Sequence, residues 1–239
     1  MERDSYIGLA IALTIFTAWG ISLYLQLSND LLQFSIFVAL AGIALQTFLY
    51  TGLFITAHDA MHGSVYRIDA WVNDFIGTLA VRLYALFSFP KLHDKHWEHH
   101  THPASEVDPD FHDGEHPQFW RRYLHFLMNY VSWKQIVGMA IVFNILEHLV
   151  GIPAQRLLLF WVLPSLLSTL QLFYFGTYLP HREEGGYPDE HHTRSNDYSA
   201  IWSFITCYHF GYHREHHAWP HVAWWKLPEQ RRTSLEKKP

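Results

Sequence analysis

The stretch LLQFSIFVALAGIALQTFLYTGLFITAHDAMH, residues 31–62, decides the fold. Residues 31–57 carry no charged side chain. At 1.5 Å per residue they make roughly 40 Å of helix, about 10 Å more than a hydrocarbon core needs. The excess lifts His58 and His62 out of the bilayer on the far side. Four residues apart, the two imidazoles share a helical face. The run therefore reads as a membrane span that ends in a pair of metal-type ligands.

The same helical spacing returns in His96-Trp-Glu-His99-His100 and in His213-Arg-Glu-His216-His217. Each cluster is expected on one face of a helix. Eight imidazoles converging from three segments make a nitrogen-rich site large enough for two ions. Imidazole suits iron, zinc, copper and nickel alike, so spacing alone leaves the metal open. A merely His-rich loop is disfavoured, because metal-capturing tracts usually repeat with Gly, Asp or Ser, whereas these boxes are separated and embedded in aromatic sequence.

Around the opening stretch the chain of 239 residues divides into two populations. Residues 6–27 and 157–180 are as free of charge as 31–57, and 136–152 carry only Glu147 and His148. The rest is dense in His, Asp, Glu, Lys and Arg. A membrane protein with a polar cap has this profile. The first apolar run lacks a cationic leader and is too long for a signal core, so it reads as a permanent span. Residues 71–89 and 118–132 are aromatic but interrupted by Asp74, Arg82, Arg121, Arg122 and His125, and are expected at the interface. The expected architecture is an all-α, single-domain membrane protein. Its four spans (6–27, 31–57, 136–152 and 157–180) form two hairpins. Residues 58–135 and 181–239 form a helical cap holding the histidines.

Charge gives an independent check. Of 17 Lys and Arg residues, the outer turns at 28–30 and 151–156 contain only Arg156. Both termini and the histidine-rich cap then face the cytoplasm, as the positive-inside tendency requires. The Ser28-Asn29-Asp30 and Gly151-Ile-Pro153 signals mark the turns.

Other residues join or stay outside. His181 follows the last span, level with the boxes, and is taken as a ninth ligand. His93 and His209 precede their boxes on the same faces and are expected to support ligands, as are Asp108, Asp110 and Asp197; Asp59 and Glu98 are further acids nearby. Carboxylates commonly accept the second N–H of a metal-bound imidazole. His102, His112, His116, His125, His191, His192 and His221 receive no role. Asn144, Glu147 and His148 cluster toward the opposite face as an interfacial contact. The single Cys207 excludes a disulfide or thiolate cluster. Paired Glu and Glu-x-x-His motifs of a soluble carboxylate di-iron site are not found. No nucleic-acid partner is expected.

At its boxes the chain resembles the membrane fatty-acid desaturase and hydroxylase superfamily, and within it the carotenoid ketolases. The phrases carrying this are Thr-Ala-His58-Asp-Ala-Met-His62-Gly, the run from His99 through Asp108-Pro-Asp110-Phe, Leu-Pro-His181-Arg, Tyr-His209-Phe-Gly-Tyr-His213-Arg-Glu-His216-His217 and Trp224-Trp225-Lys-Leu-Pro228. The resemblance implies two iron ions held by His58, His62, His96, His99, His100, His213, His216 and His217, with His181 matching an extra ligand. Where the superfamily usually has Asn four residues before that histidine, this chain has Thr177. It further implies O2 as co-substrate and an external reductant, with reduced ferredoxin expected. The substrate would be β-carotene, entering from a bacterial-type cytoplasmic membrane or its equivalent. Two hydroxylations at ring C4 and loss of water would give echinenone and canthaxanthin. Lys91, Lys95, Arg121, Arg122 and the C-terminal basic residues are expected to dock the donor. A carotenoid hydroxylase, a fatty-acyl desaturase and a membrane metal-binding or transport protein stay open as alternatives, as does the oligomeric state.

Overall fold

A computed structural model describes residues 2–29, 33, 35–111, 118–182, 186–187 and 190–236. Asp30, His112 and His116 lie outside the described residues. Among those described the secondary structure is helical, with no strand. Helices α1 (Glu2–Ser28), α2 (Ile36–Met61) and α7 (Ala154–Tyr178) are each long and apolar enough to cross a membrane alone. Between them lie α3 (Ala70–Ala85), α4 (Phe89–Thr101), α5 (Phe119–Tyr130) and α6 (Trp133–Leu149). The pairs α3–α4 and α5–α6 reach span length and apolarity only when joined, across bends of 100° and 84°. The chain thus carries three to five candidate membrane helices. The short helices α8 (Ala200–Cys207), α9 (His213–Ala218) and α10 (Leu227–Glu236) follow.

Helix α2 is the axis, packed against α1, α3, α4 and α7. Its first half turns Ile36, Phe37, Val38, Leu40 and Leu45 outward. From Leu49 to Met61 nearly every residue is buried, His58 and Asp59 included. The outward side chains of α1, α6 and α7, among them Leu13, Leu25, Ile136, Leu149 and Leu158, are also large and apolar. Such a surface suits a solvent that is itself apolar. Polar residues inside the bundle find one another. Gln26 Nε2 donates to Ser22 Oγ at 2.8 Å and lies 3.1 Å from Gln46 Oε1, while Thr51 Oγ1 lies 2.7 Å from Gln171 Oε1 and 2.9 Å from Ser168 Oγ. Hydrogen bonds of this kind hold helices together where the hydrophobic effect does not.

Capping chemistry explains where the chain turns. Asp69 accepts the Val72 N–H and Ser132 accepts the Gln135 N–H, fixing the starts of α3 and α6. Leu86 ends α3 in the left-handed conformation at φ 57°, and the chain folds back into α4. That fold-back lays Phe89 directly over Gly77, where a Cβ would meet the ring at 2.2 Å. Two π-helical stretches, Leu158–Val162 and Phe173–Tyr178, interrupt α7. Such wide turns often accompany functional sites.

Candidate metal centre

The three boxes arrive on the ends of α2, α4 and α9. Trp97 clamps two of these ends together by donating its indole N–H to the Met61 carbonyl at 3.2 Å. His58, His62, His96, His100 and His216 form one group, and His99, His181, His213 and His217 form a second. Within each group the ligand atoms lie within 4.8 Å of one another. Every histidine singled out as a ligand candidate is therefore in one of the two.

Helix geometry explains the sorting. At 3.6 residues per turn, side chains at i and i+4 diverge by about 40°, whereas adjacent residues diverge by about 100°. His96 and His100 accordingly stay together while His99 points to the other group. His213 and His217 stay together while His216 crosses over. The expectation of one face per box is thus refined: the outer pair shares a side and the inner histidine does not.

The nitrogens meet in a way that neutral imidazoles alone satisfy poorly. His62 and His96 approach Nε2 to Nε2 at 2.7 Å, His100 and His216 at 3.0 Å, and His217 lies 3.1 Å from both His99 and His213. The Nε2 atoms of His58 and His181 are buried without a partner. A neutral imidazole has one donor and one acceptor nitrogen. His99 Nδ1 donates to Asp108 and His181 Nδ1 donates to the His192 carbonyl at 3.0 Å. Their Nε2 atoms therefore present lone pairs to the cluster, as a cation requires. Burial holds the His213, His216 and His217 imidazoles well below the ordinary range and pushes His62 down to about 3. These four are neutral and ready to ligate at pH 7, whereas Asp108 and Asp110 outweigh burial at His99 and raise it, so a metal there takes the place of its proton. The donor set thus fits two nitrogen-rich metal ions and names none.

Asp108 is fixed by its own loop, accepting the Ala104 and Asp110 N–H groups at 2.8 Å each. Asp110 lies 3.9 Å from His99 Nδ1 and accepts the Tyr130 hydroxyl. Asp59 lies 3.4 Å from His58 Nδ1, and its other oxygen accepts the Trp224 N–H at 3.0 Å, so the C-terminal segment closes the back of the site. Asp197 is fully exposed and pairs with Arg231 instead. His93 is half-exposed beside Asp94, and His209 stacks on Tyr212; neither joins a group.

Two features escaped the sequence. Glu215, buried within the third box, accepts the Ser195 hydroxyl and pairs with Arg231 at 3.4 Å, anchoring α9 from behind. Its position between box histidines was the available signal. Arg122, expected on a docking surface, is buried: its guanidinium stacks 4.7 Å from the Phe111 ring and 5.6 Å from the Tyr178 ring. Arginine stacks well because its planar head is weakly hydrated. Lys91 and Arg121 are exposed as expected.

A model of the family described as fatty acid desaturase matches residues 34–145 and 130–238. The chain is 40% identical over 242 residues to a zeaxanthin 4-ketolase of Chlamydomonas reinhardtii, covering 96% of this chain and 54% of that protein. It is 44% identical over 195 residues to a beta-carotene ketolase of Haematococcus lacustris, covering 78% and 60%. To a beta-carotene ketolase of Paracoccus sp. (strain PC1) it is 43% identical over 198 residues, covering 82% and 79%. The chain spans a little over half the length of these algal relatives and about four-fifths of the bacterial one.

Proposed function

The chain belongs to the fatty acid desaturase family, and from that premise we propose that it is a membrane oxygenase that converts the C4 methylene of a carotenoid β-ionone ring to a ketone. The observation that carries the reading is the pair of adjoining all-histidine groups, set in a chain so similar to carotenoid ketolases. In this reading His58, His62, His96, His100 and His216 hold one iron, and His99, His181, His213 and His217 hold the other. Two irons so held supply activation of O2 toward a C–H bond.

The chain's own residues do the rest. Asp108 and the His192 carbonyl fix the tautomers of His99 and His181, so their Nε2 atoms face inward. Beside His58, His96, His99 and His213 a narrow chamber is walled by Phe54, Met61, Leu92, Phe126 and Phe210. These side chains exclude bulk water from the reacting carbon. Two successive hydroxylations at C4 give a geminal diol, and loss of water leaves the ketone: one ring gives echinenone, two give canthaxanthin. Electrons come from an external donor, reduced ferredoxin in this reading, docking near exposed Lys91 and Arg121.

The proposed membrane arrangement belongs to the same reading. In this reading α1, α2 and α7, with α6 as a shorter fourth crossing, form two hairpins across a bacterial-type cytoplasmic membrane or its equivalent. The histidines and both termini lie on the cytoplasmic side, and α3 and α5 lie along the interface. Exposed Trp71, Trp120 and Trp133 on α3, α5 and the start of α6 support this placement, since tryptophan favours the headgroup level.

The test uses the purified chain loaded with ferrous iron in vesicles containing β-carotene, with reduced ferredoxin. Ketone formation that needs both iron and O2 supports the reading. Equal turnover without iron contradicts it.

A further inference from the structure

Three cavities in the protein share walls in sequence. The chamber lined by His58, His96, His99 and His213 has Phe54, Leu92, Phe126, Tyr130 and Leu172 in common with a second one. The second shares Tyr84, Phe87, Leu127, Val131 and Thr169 with a groove of about 660 Å³ between α6 and α7. The two inner chambers measure about 40 Å³ each, so the path narrows sharply before the histidines. At the mouth Met128, Ile136, Ala140 and Leu166 are exposed on the outer surface of the bundle.

The lining presents carbon although it contains polar residues, because their polar atoms are engaged elsewhere. The Tyr130 hydroxyl is on Asp110, the Tyr84 hydroxyl on the Ser165 carbonyl, and the Thr169 hydroxyl on the Leu166 carbonyl beside Tyr123. Gln135 and Asn144 donate to the Ala85 and Ala140 carbonyls. With these hydroxyls and amide N–H groups engaged, the groove and neck short of the histidines select against a polar headgroup and for a bare hydrocarbon.

We propose that this passage is the entry path and seat of the substrate. In it the apolar polyene lies in the α6–α7 groove and its ring passes a neck formed by Phe126 and Tyr130 of α5 with Thr169 and Leu172 of α7. The neck residues are specificity-determining, setting the girth of the end group that reaches the histidines. The inference rests on the ketolase reading for the identity of the occupant. Continuity argues against another large apolar groove. That groove, lined by Ala10, Thr14, Leu49 and Tyr208 among others, ends against Trp224 and shares no wall with the histidine chamber.

The test compares plugs in the two grooves, with chains purified from cells that accumulate β-carotene. The readouts are bound β-carotene per chain, iron per chain and ketone formed. Thr169→Trp is expected to lower bound pigment and ketone about tenfold or more, a loss typical of a misplaced substrate, while iron per chain stays unchanged. Ala140→Trp, on an exposed helix face at the mouth, is expected to lower both without disturbing the interior. Ala10→Trp, in the other groove, is expected to change neither. If Ala140→Trp and Thr169→Trp retain pigment and ketone, or if Ala10→Trp removes them, the passage is wrong. If the unmodified chain binds pigment and loses it with these plugs but forms no ketone, the passage stands and the ketolase reading fails.

Discussion

His99 Nδ1 lies 2.8 Å from one oxygen of Asp108 and 3.0 Å from the other, with both side chains buried. The carboxylate is held in turn by two backbone N–H groups of its own loop. A ligand histidine is thereby fixed in one tautomer by a rigid acceptor. Asp108→Asn keeps the shape and loses the charge. It is expected to weaken metal binding at the second group by about 10- to 100-fold, the usual cost of losing such a partner. Metal per chain, measured against chelator concentration, checks this; an unchanged titration would contradict it.

His181 stands outside the three boxes yet lies in the second group with its Nε2 buried and unpartnered. His181→Ala is expected to drop metal content toward half, because the five-histidine group is left complete. His93→Ala and His209→Ala are expected to keep full occupancy. Elemental analysis of the three variants decides, and full occupancy in His181→Ala would remove it from the ligand set.

Gly176 lies in the π-helical stretch Phe173–Tyr178, where a Cβ would meet the Phe210 ring at 2.3 Å. Phe210 packs in turn on His58 and His213, with ring centroids 4.6 Å and 5.0 Å away. Gly176→Ala is expected to push that ring toward the histidines and to cost about 1–3 kcal/mol, the range for overpacking a dense interior. A lowered unfolding temperature together with reduced turnover is the expected result. Wild-type values for both would contradict it.

How much of this was legible in the sequence depends on the length scale of each feature. Three of the four expected spans and the spacing of the boxes were, because burial in lipid demands uninterrupted apolar runs and helical ligands demand fixed spacing. The division of His96 and His100 from His99 was latent in the helical angle but invisible until the helices met. Among five nearby acids only tertiary contact chose Asp108, whose loop turns it back nine residues onto His99. Arg122 resembled a surface charge, since nothing local reveals that Phe111 and Tyr178 will enclose it. The third expected span is 12 residues followed by a five-residue π turn, and it reaches span length only with α5, across the bend.

Acid should loosen the metal-free protein. Burial holds His213, His216 and His217 well below the ordinary imidazole value, while an unfolded chain titrates near 6.5. As pH falls through about 6.5 the unfolded state binds more protons than the folded one, so stability falls with pH. The unfolding temperature of the apo-protein is expected to decline steadily from pH 7 to pH 5, a window set by the unfolded value. A flat profile across that range would show that the cluster is not buried.

In the proposed function, iron held by the two histidine groups would supply activation of O2, which oxidises a carotenoid ring methylene reached from the membrane to a ketone. Pigment analysis of β-carotene-accumulating cells expressing the chain tests it most directly. Echinenone and canthaxanthin are the expected pigments, with neither formed by the His99→Ala or His216→Ala variant. Zeaxanthin alone, altered acyl chains with unchanged β-carotene, or ketone formation that persists in those variants would contradict it.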